Sequence, residues 1–286
     1  MAPRVAYTIA DLDAGLADAR TDGRRVALVP TMGAVHDGHL GLVETARERG
    51  DLVAASVFVN PTQFGPDEDF ERYPRDLDRD VELLGSAGVD LVFAPEVETI
   101  YPPGSEAVMV DPGPLGQILE GESRPTHFRG VLTVVAKLFA LVRPDVAVFG
   151  EKDYQQLVLV RKLARALHTG VDVVSRPIVR DEDGLAKSSR NVYLSDDERK
   201  AALALSQALH DGAGAASGGA AAVLRAAHAV LDATDELMLD YLALTDAELG
   251  DPRPGHPARL LVAARVGSTR LIDNLGLDLP DGDNRC

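Results

Sequence analysis

Short apolar runs alternate with helically spaced apolar positions over the first part of the chain. The runs predict four buried β-strands, at 25–30, 52–59, 89–94 and 146–149. The helical spacing predicts helices at 38–47, 79–85, 130–142 and 154–168. Because strands alternate with helices, the pattern indicates an α/β fold with a doubly wound parallel sheet.

The pattern changes after Asn191. Ser195 and Glu198 form a capping box that opens a helix rich in Ala and Leu, and a second helix is predicted at 220–231. Three further strands are predicted at 238–244, 260–266 and 270–274. We therefore predict one domain at 1–186 and a smaller C-terminal α+β domain at 187–286.

The loop after the first predicted strand combines two glycines with two histidines. His36 and His39 lie just before and at the start of a helix, together with Gly33 and Gly38. Helix N-terminal amides favour an anion, and imidazoles can donate hydrogen bonds to phosphoryl oxygens, so the loop indicates a phosphate site. The alternative is that both histidines only cap the helix. A metal pair is disfavoured, because no third ligand is in reach.

Two later segments carry groups that suit an organic anion. Gln63 has donors and an acceptor that match hydroxyl and carboxylate groups, whereas Asn60, before Pro61, could equally be a strand terminator. Arg129 lies near a predicted helix N-terminus, where a cation is favourable only if an anion or a carboxylate partner sits beside it.

Two cationic segments complete the candidate chemistry. Lys152 follows the fourth predicted strand, where it could point at a phosphate, and Gln156 lies one turn into the next helix. Lys187 and Arg190 enclose two serines after the acidic turn at 181–184, an arrangement that suits a polyphosphate. An exposed surface lysine and a chance Ser-Ser-Arg run are the alternatives.

Composition restricts the partners. The 286 residues include 45 Asp plus Glu against 29 Lys plus Arg, a formal net charge of −16, so nonspecific nucleic-acid binding is disfavoured. Cys286 is the single cysteine, which excludes an intrachain disulfide, a zinc cage of cysteines and a cysteine nucleophile elsewhere in the chain. We expect a cytoplasmic protein without a membrane segment, because no apolar run approaches ~18 residues.

Taken together, the segments resemble the pantoate–β-alanine ligase family, within the nucleotidylyl-transferase superfamily. The matching blocks are 30–39, 58–64, 73–75, 127–130, 150–153, 188–191 and 270–274. Two segments depart from the family pattern. Lys187 stands where relatives commonly have Met, and the amino-acid sequence at 76–80 differs from the usual one. The resemblance implies a Rossmann-like N-terminal domain, a small C-terminal lid domain and a homodimer.

The resemblance also implies a two-step ligation through pantoyl adenylate, with ATP, pantoate and β-alanine as substrates and Mg²⁺ accompanying ATP. Asp78 and Asp80 are only weak candidates for the metal, because the sequence has no dedicated carboxylate cage. The rival hypotheses are a nucleotidyltransferase that adenylylates a phosphate and a catalytically silent nucleotide sensor. An ATP-to-AMP ligation assay distinguishes all three.

By the same resemblance, His39 assists adenylyl transfer as a proton donor, His36 contacts the phosphates, and Lys152 and Arg190 join the catalytic set. Gln63 and Gln156 hold pantoate, and Gln63 also meets β-alanine. Asn60 and Arg129 are further substrate-site candidates from the residues themselves. The implied ATP-binding residues are Met32, Gly33, Ala34, Val35, His36, Asp37, Gly38, His39, Gly150, Glu151, Lys152, Asp153, Val179, Lys187, Ser188, Ser189 and Arg190.

Overall fold

The computed structural model describes residues 2–66, 68–104 and 108–281, so Cys286 lies outside the described residues. The chain divides into two compact units. The first contains the chain up to Glu151 together with Gln155–Pro177, and the second contains Lys152–Tyr154 and the chain from Ile178 onward. The predicted boundary, near Ala186, lies further along the chain than this division.

The first unit is built on a six-stranded sheet in which every pairing is parallel. Its strands are β1 (Arg4–Ala6), β2 (Val26–Thr31), β3 (Leu52–Val57), β4 (Leu91–Phe93), β5 (Val146–Gly150) and β6 (Asp172–Arg176), in the spatial order β1-β4-β3-β2-β5-β6. The helices along this part of the chain are α1 (Ile9–Thr21), α2 (Asp37–Arg49), α3 (Leu77–Ala87), α4 (Val97–Ile100), α5 (Glu120–Ser123), α6 (His127–Val142) and α7 (Tyr154–Ala166). The predicted α/β fold class is confirmed.

The strand order creates a switch point beside β2. The chain adds β3 on one side of β2 and later places β5 on the other. The loops that leave β2 and β5 therefore diverge and open a crevice at the carboxyl edge of the sheet, where ligands of such folds bind. Beneath it, Val29 and Val53 of the strands are buried in one core with Val43 of α2 and Leu84 of α3.

The second unit is a three-stranded antiparallel sheet with two helices. Its elements are α8 (Asp196–Gly214), α9 (Ala220–Asp232), β7 (Leu237–Asp246), β8 (Pro257–Val266) and β9 (Thr269–Asp278), with β8 in the centre. The predicted capping box is present, because the Ser195 hydroxyl accepts from Glu198 N and the Glu198 carboxylate accepts from Ser195 N. Within the part of the chain that the structure describes, no helix is long and apolar enough to cross a membrane.

Candidate active site

The loop after β2 is held by a carboxylate from α3. Asp80 accepts hydrogen bonds from Ala34 N at 2.9 Å and from Val35 N at 2.7 Å. Gly33 has φ +80°, and a Cβ at this position would lie 2.7 Å from the Asp80 carboxylate. Gly33 is therefore required both for the left-handed backbone and for the close approach of Asp80.

The weak candidacy of Asp80 as a metal ligand stays a prediction, and in this structure its carboxylate binds the loop amides. Its side chain is 1% exposed, and both of its oxygens are used by the loop amides. Burial raises the pKa of Asp80 above its ordinary value, against the lowering effect of the two amide hydrogen bonds. Asp78, on the same helix, is exposed. Among the described residues, no group of three or more His, Cys, Asp or Glu side chains could hold a metal ion.

Both histidines cap α2. His36 Nδ1 accepts from Gly38 N at 3.1 Å, and His39 Nδ1 accepts from His36 N at 3.3 Å. Both histidines thus cap the helix, and their contact with a phosphate stays a prediction. Because each Nδ1 accepts, the proton of each neutral imidazole is assigned to Nε2, which makes that atom a donor. The two ring centroids are 4.1 Å apart, so two such donors lie together at a helix N-terminus.

Both ends of the Asn60 amide contact protein groups, and the assignment of Asn60 to the substrate site stays a prediction. Its Oδ1 accepts from Thr62 N, from the Thr62 hydroxyl and from the Tyr101 hydroxyl, the last at 2.9 Å. Its Nδ2 donates to Gln63 Oε1 at 3.0 Å and to Gly130 O at 3.2 Å. Asn60 is 1% exposed, and its amide holds the Gln63 side chain in this structure.

Gln63 lies in the helical turn Pro61–Gln63 that follows β3. Asn60 fixes its Oε1, and its Nε2 donates to Met32 Sδ at 3.0 Å. A thioether is a weak acceptor, so a carboxylate or hydroxyl of a ligand would be a better partner for this N–H group. The structure thus brings together Gln63, which the family resemblance assigns to pantoate, and Met32, which it assigns to ATP.

The cation beside Gln63 is Arg124, which the sequence analysis missed. Arg129 lies in the first turn of α6, as predicted, but its side chain is exposed and has no hydrogen bond or ion pair with the described residues. Arg124 Nη2, by contrast, reaches Gln63 O at 3.4 Å. Only the fold shows this contact, because Arg124 precedes the matching block at 127–130.

The start of α7 contains two adjacent glutamines with different roles. Gln155 is 2% exposed, accepts from Glu120 N and donates to Leu115 O and Ile118 O, so it holds the chain before α5. Gln156 is half-buried, and its amide makes no hydrogen bond with the described residues. The amide of Gln156 is therefore the one available to a ligand. Glu151, just before this helix, accepts from the Ser175 hydroxyl at 3.0 Å.

In the second unit, β9 holds the main chain at Lys152. Asn274 Nδ2 donates to Lys152 O at 3.0 Å, while Asn274 Oδ1 accepts from Arg259 at 3.0 Å. The Arg259 guanidinium also stacks 4.0 Å from the Tyr154 ring centroid. The matching block at 270–274 thereby gains a physical role, namely to fix the segment that carries Lys152.

The acidic turn and the Lys-Ser-Ser-Arg segment form one folded hairpin. Lys187 N donates to Val179 O at 2.9 Å, and Gly184 supplies the turn with φ +95°. The Lys187 ammonium pairs with Asp181 at 2.7 Å, which is the structural alternative to a phosphate contact. Hydrogen bonds from Arg199 and Lys187 hold the pKa of Asp181 below its usual value.

The two serines begin a short helical turn, Ser189–Tyr193. Ser188 caps it, because its hydroxyl accepts from Arg190 N at 3.3 Å. The hairpin before it is fastened to β9, since Arg180 makes a two-pronged salt bridge with the buried Asp273, at 2.6 and 2.9 Å. The turn and its cap therefore bring the backbone amides and the two serine hydroxyls of 188–190 close together along the chain.

The fold defines an α/β protein with a doubly wound parallel sheet. A family model described as pantoate-β-alanine ligase matches residues 4–276. The chain therefore belongs to the pantoate–β-alanine ligase family, and it is a ligase.

Individual relatives agree with this assignment. The pantothenate synthetase of Nocardioides sp. is 56% identical, over 97% of this chain and 86% of that protein. The pantothenate synthetase of Saccharopolyspora erythraea is 58% identical, over 93% of this chain and 88% of its own length.

Solved structures show the same fold. Pantothenate synthetase from Thermus thermophilus matches with a TM-score of 0.88 at 53% identity, covering 95% of this chain and 98% of that one. Pantoate-β-alanine ligase from Francisella tularensis, solved with β,γ-ATP and β-alanine, matches with a TM-score of 0.80 at 32% identity, covering 96% and 97%.

Proposed function

We propose that the chain joins pantoate to β-alanine in two steps. In the first, a pantoate carboxylate oxygen attacks the α-phosphorus of ATP, forming pantoyl adenylate and releasing pyrophosphate. In the second, the neutral amine of β-alanine attacks the acyl carbon, and the bond between that carbon and the AMP oxygen breaks. The nitrogen, which is positively charged after the attack, then loses one proton. The products are pantothenate and AMP. This route avoids expelling an oxide ion from a carboxylate, because AMP is a far better leaving group.

The observation that carries the proposal is the pair of capping imidazoles at the N-terminus of α2. Negative charge grows on the phosphoryl oxygens as the pentavalent transition state forms, and preorganised donors stabilise such charge. The Nδ1 atoms of His36 and His39 accept hydrogen bonds from backbone amides. Each neutral ring therefore carries its proton on Nε2, which is a hydrogen-bond donor. In the proposed mechanism His39 assists adenylyl transfer as proton donor and His36 contacts the phosphates.

The substrate contacts follow the available amides. Gln63, whose Nε2 has only a thioether acceptor among the described residues, and Gln156 would hold the pantoate hydroxyl and carboxylate groups. Gln63 would also meet β-alanine, while Asn60 keeps the Gln63 amide in one orientation. Arg129 stays a predicted anion contact from the sequence.

The ATP assignment is carried over residue by residue from the family resemblance. The implied residues are 32–39, 150–153, Val179 and 187–190. Within the last of these segments, the Lys187 ammonium pairs with Asp181. ATP is expected with Mg²⁺ as its counter-ion, but the described residues provide no cage for the metal, and no step is assigned to it. We also propose a cytoplasmic homodimer.

The decisive experiment mixes the protein with Mg-ATP, D-pantoate and β-alanine and identifies the products by mass spectrometry. We expect pantothenate, AMP and pyrophosphate, and pantoyl adenylate when β-alanine is omitted. ADP with phosphate would exclude the adenylate route, and a dinucleotide product would indicate the rival nucleotidyltransferase. His39→Ala should reduce single-turnover adenylate formation by ~10² or more while the protein stays folded.

A further inference from the structure

A chain of polar groups reaches the main chain of Gln63 from behind. Glu68, in the loop after this turn, makes a two-pronged salt bridge to Arg124, with Nε at 2.7 Å and Nη2 at 2.5 Å. Arg124 in turn contacts His127 and Gln63 O. His127, the first residue of α6, contacts the same carbonyl through Nδ1 at 3.0 Å. We name Glu68, Arg124 and His127 the Gln63 clamp.

The clamp specifies one tautomer of His127. A guanidinium can only donate, so the 3.2 Å contact from Arg124 Nη1 makes His127 Nε2 an acceptor. Nδ1 must then carry the proton and donate it to the Gln63 carbonyl. Burial and the Arg124 charge lower the pKa of His127 to about 4, which keeps the ring neutral at pH 7. The direction of each hydrogen bond in the clamp is therefore determined.

Glu68 balances the charge that the clamp places beside Gln63. The Arg124 side chain is 15% exposed and the Glu68 side chain 25%, so water compensates the guanidinium only in part. Burial would raise the pKa of Glu68, but the hydrogen bonds and charge of Arg124 outweigh it and hold this pKa below the usual value. Loss of Glu68 would leave a poorly solvated cation against the carbonyl, and the guanidinium would turn away.

We propose that Glu68, Arg124 and His127 are positioning residues that determine how well the Gln63 amide binds pantoate. This inference rests on the proposed function. The clamp holds the Gln63 main chain while Asn60 holds its side chain, so the amide is fixed from both ends. A small displacement of a substrate-positioning group is costly, since a shift of about 1 Å can reduce the rate by ~10².

Two substitutions of His127 separate positioning from bulk packing. His127→Asn places an amide N–H near the position of Nδ1 and should retain the bond to the Gln63 carbonyl, whereas His127→Leu keeps volume but removes the donor. We expect the KM for pantoate to rise about tenfold or more in His127→Leu and to change by less than about threefold in His127→Asn. The KM for ATP should stay within about twofold of wild type in both variants.

A second pair tests the charged end of the clamp without touching α6. Glu68→Gln should raise the KM for pantoate, because an amide cannot balance Arg124, and the exposed Glu71→Gln in the same loop should not. Thermal midpoints identify any variant that fails to fold. If His127→Leu does not fold, the comparison of Glu68→Gln with Glu71→Gln tests the clamp by itself.

The outcomes are distinguishable. If the wild type makes no pantothenate, the proposed function is wrong, whatever the variants do. If the wild type is active and a folded His127→Leu or Glu68→Gln keeps the wild-type KM for pantoate, the clamp is not a positioning device. Equal losses for pantoate and ATP would also overturn it, since they would indicate collapse of the site.

Discussion

At the scale of single residues, several polar side chains near the loops serve other side chains or the main chain. Asp80 holds amides, Asn60 holds an amide side chain, and Asn274 holds a carbonyl. All three are nearly inaccessible to solvent. Buried polar groups of this kind must be hydrogen-bonded, and each therefore commits its neighbours to one conformation.

Asp80→Ala tests the loop after β2. The change leaves the Ala34 and Val35 amides without their acceptors, so the free energy of unfolding should fall by about 1–3 kcal/mol. The KM for ATP should rise, because the loop before the two histidines loosens. Asp78→Ala on the same helix is the matched control, since its carboxylate is exposed. Urea unfolding and steady-state kinetics measure both effects, and equal stability of the two variants would contradict the role of Asp80.

Lys187→Met introduces the residue that the family resemblance predicts at this position. In the structure the ammonium already has an anionic partner, Asp181, which Arg199 also binds. Exchange of Asp181 for a phosphate would gain little, because one ion pair replaces another. We therefore expect nearly unchanged KM values for ATP at low and high salt. A clear rise at low salt only would show that Lys187 reaches the phosphates.

At the scale of elements, the contact between α6 and the Pro61–Gln63 turn depends on Gly130. A Cβ on Gly130 would collide with the Thr62 carbonyl and lie 2.6 Å from Gln63 Cα. These are backbone atoms, which cannot move aside as a side chain can. The helix can approach the turn, and His127 can reach the Gln63 carbonyl, only because this position has no side chain.

Gly130→Ala should therefore push α6 away from the turn. We expect lower stability and a higher KM for pantoate than for wild type, although Ala is the better helix former by roughly 1 kcal/mol. Gly214→Ala at the end of α8 is the control, since its Cβ would meet no atom within 4 Å. Thermal unfolding and pantoate kinetics check the pair, and identical behaviour of both variants would exclude the steric argument.

The predicted elements lie in buried, periodic segments, whereas two strands that were not predicted lack such a signal. β1 has three residues and β6 is half-exposed, so neither gives a buried apolar run. The first helix, which was not predicted, does carry a signal, because Thr8 and Asp11 form a capping box ahead of the buried Leu12 and Leu16. The contacts of Asp80 and Arg124 could not be predicted, because they join residues 46 and 61 positions apart whose proximity only the fold creates.

At the scale of the whole molecule, the two compact units each present one set of loops, and each does so with a different kind of sheet. The first unit uses the carboxyl edge of a parallel sheet, and the second fastens its hairpin and the Lys152 segment to one antiparallel strand, β9, through Asp273 and Asn274. The net charge of −16 makes the average field unfavourable for ATP. Local amides and cations at the loops must therefore supply the attraction.

The stability of the whole molecule should depend on the protonation of His127. Burial and the charge of Arg124 lower its pKa from 6.5 to about 4 in the folded protein. Between these values the unfolded chain binds a proton that the folded protein does not. The free energy of unfolding should therefore fall as the pH drops through this window, by roughly 3 kcal/mol at its lower end.

His127→Asn isolates this contribution from the many carboxylates that titrate near the same lower end, because it removes the ring and leaves those groups in place. Urea unfolding of both proteins should be compared between about pH 7 and pH 4.5, since the ordinary pKa of His lies inside that range. The wild type should lose more stability than the variant on acidification, with the difference growing steadily below about pH 6.5. Parallel curves would show that His127 takes up its proton in the folded protein as readily as in the unfolded chain, and that the neutral ring in the clamp is not maintained.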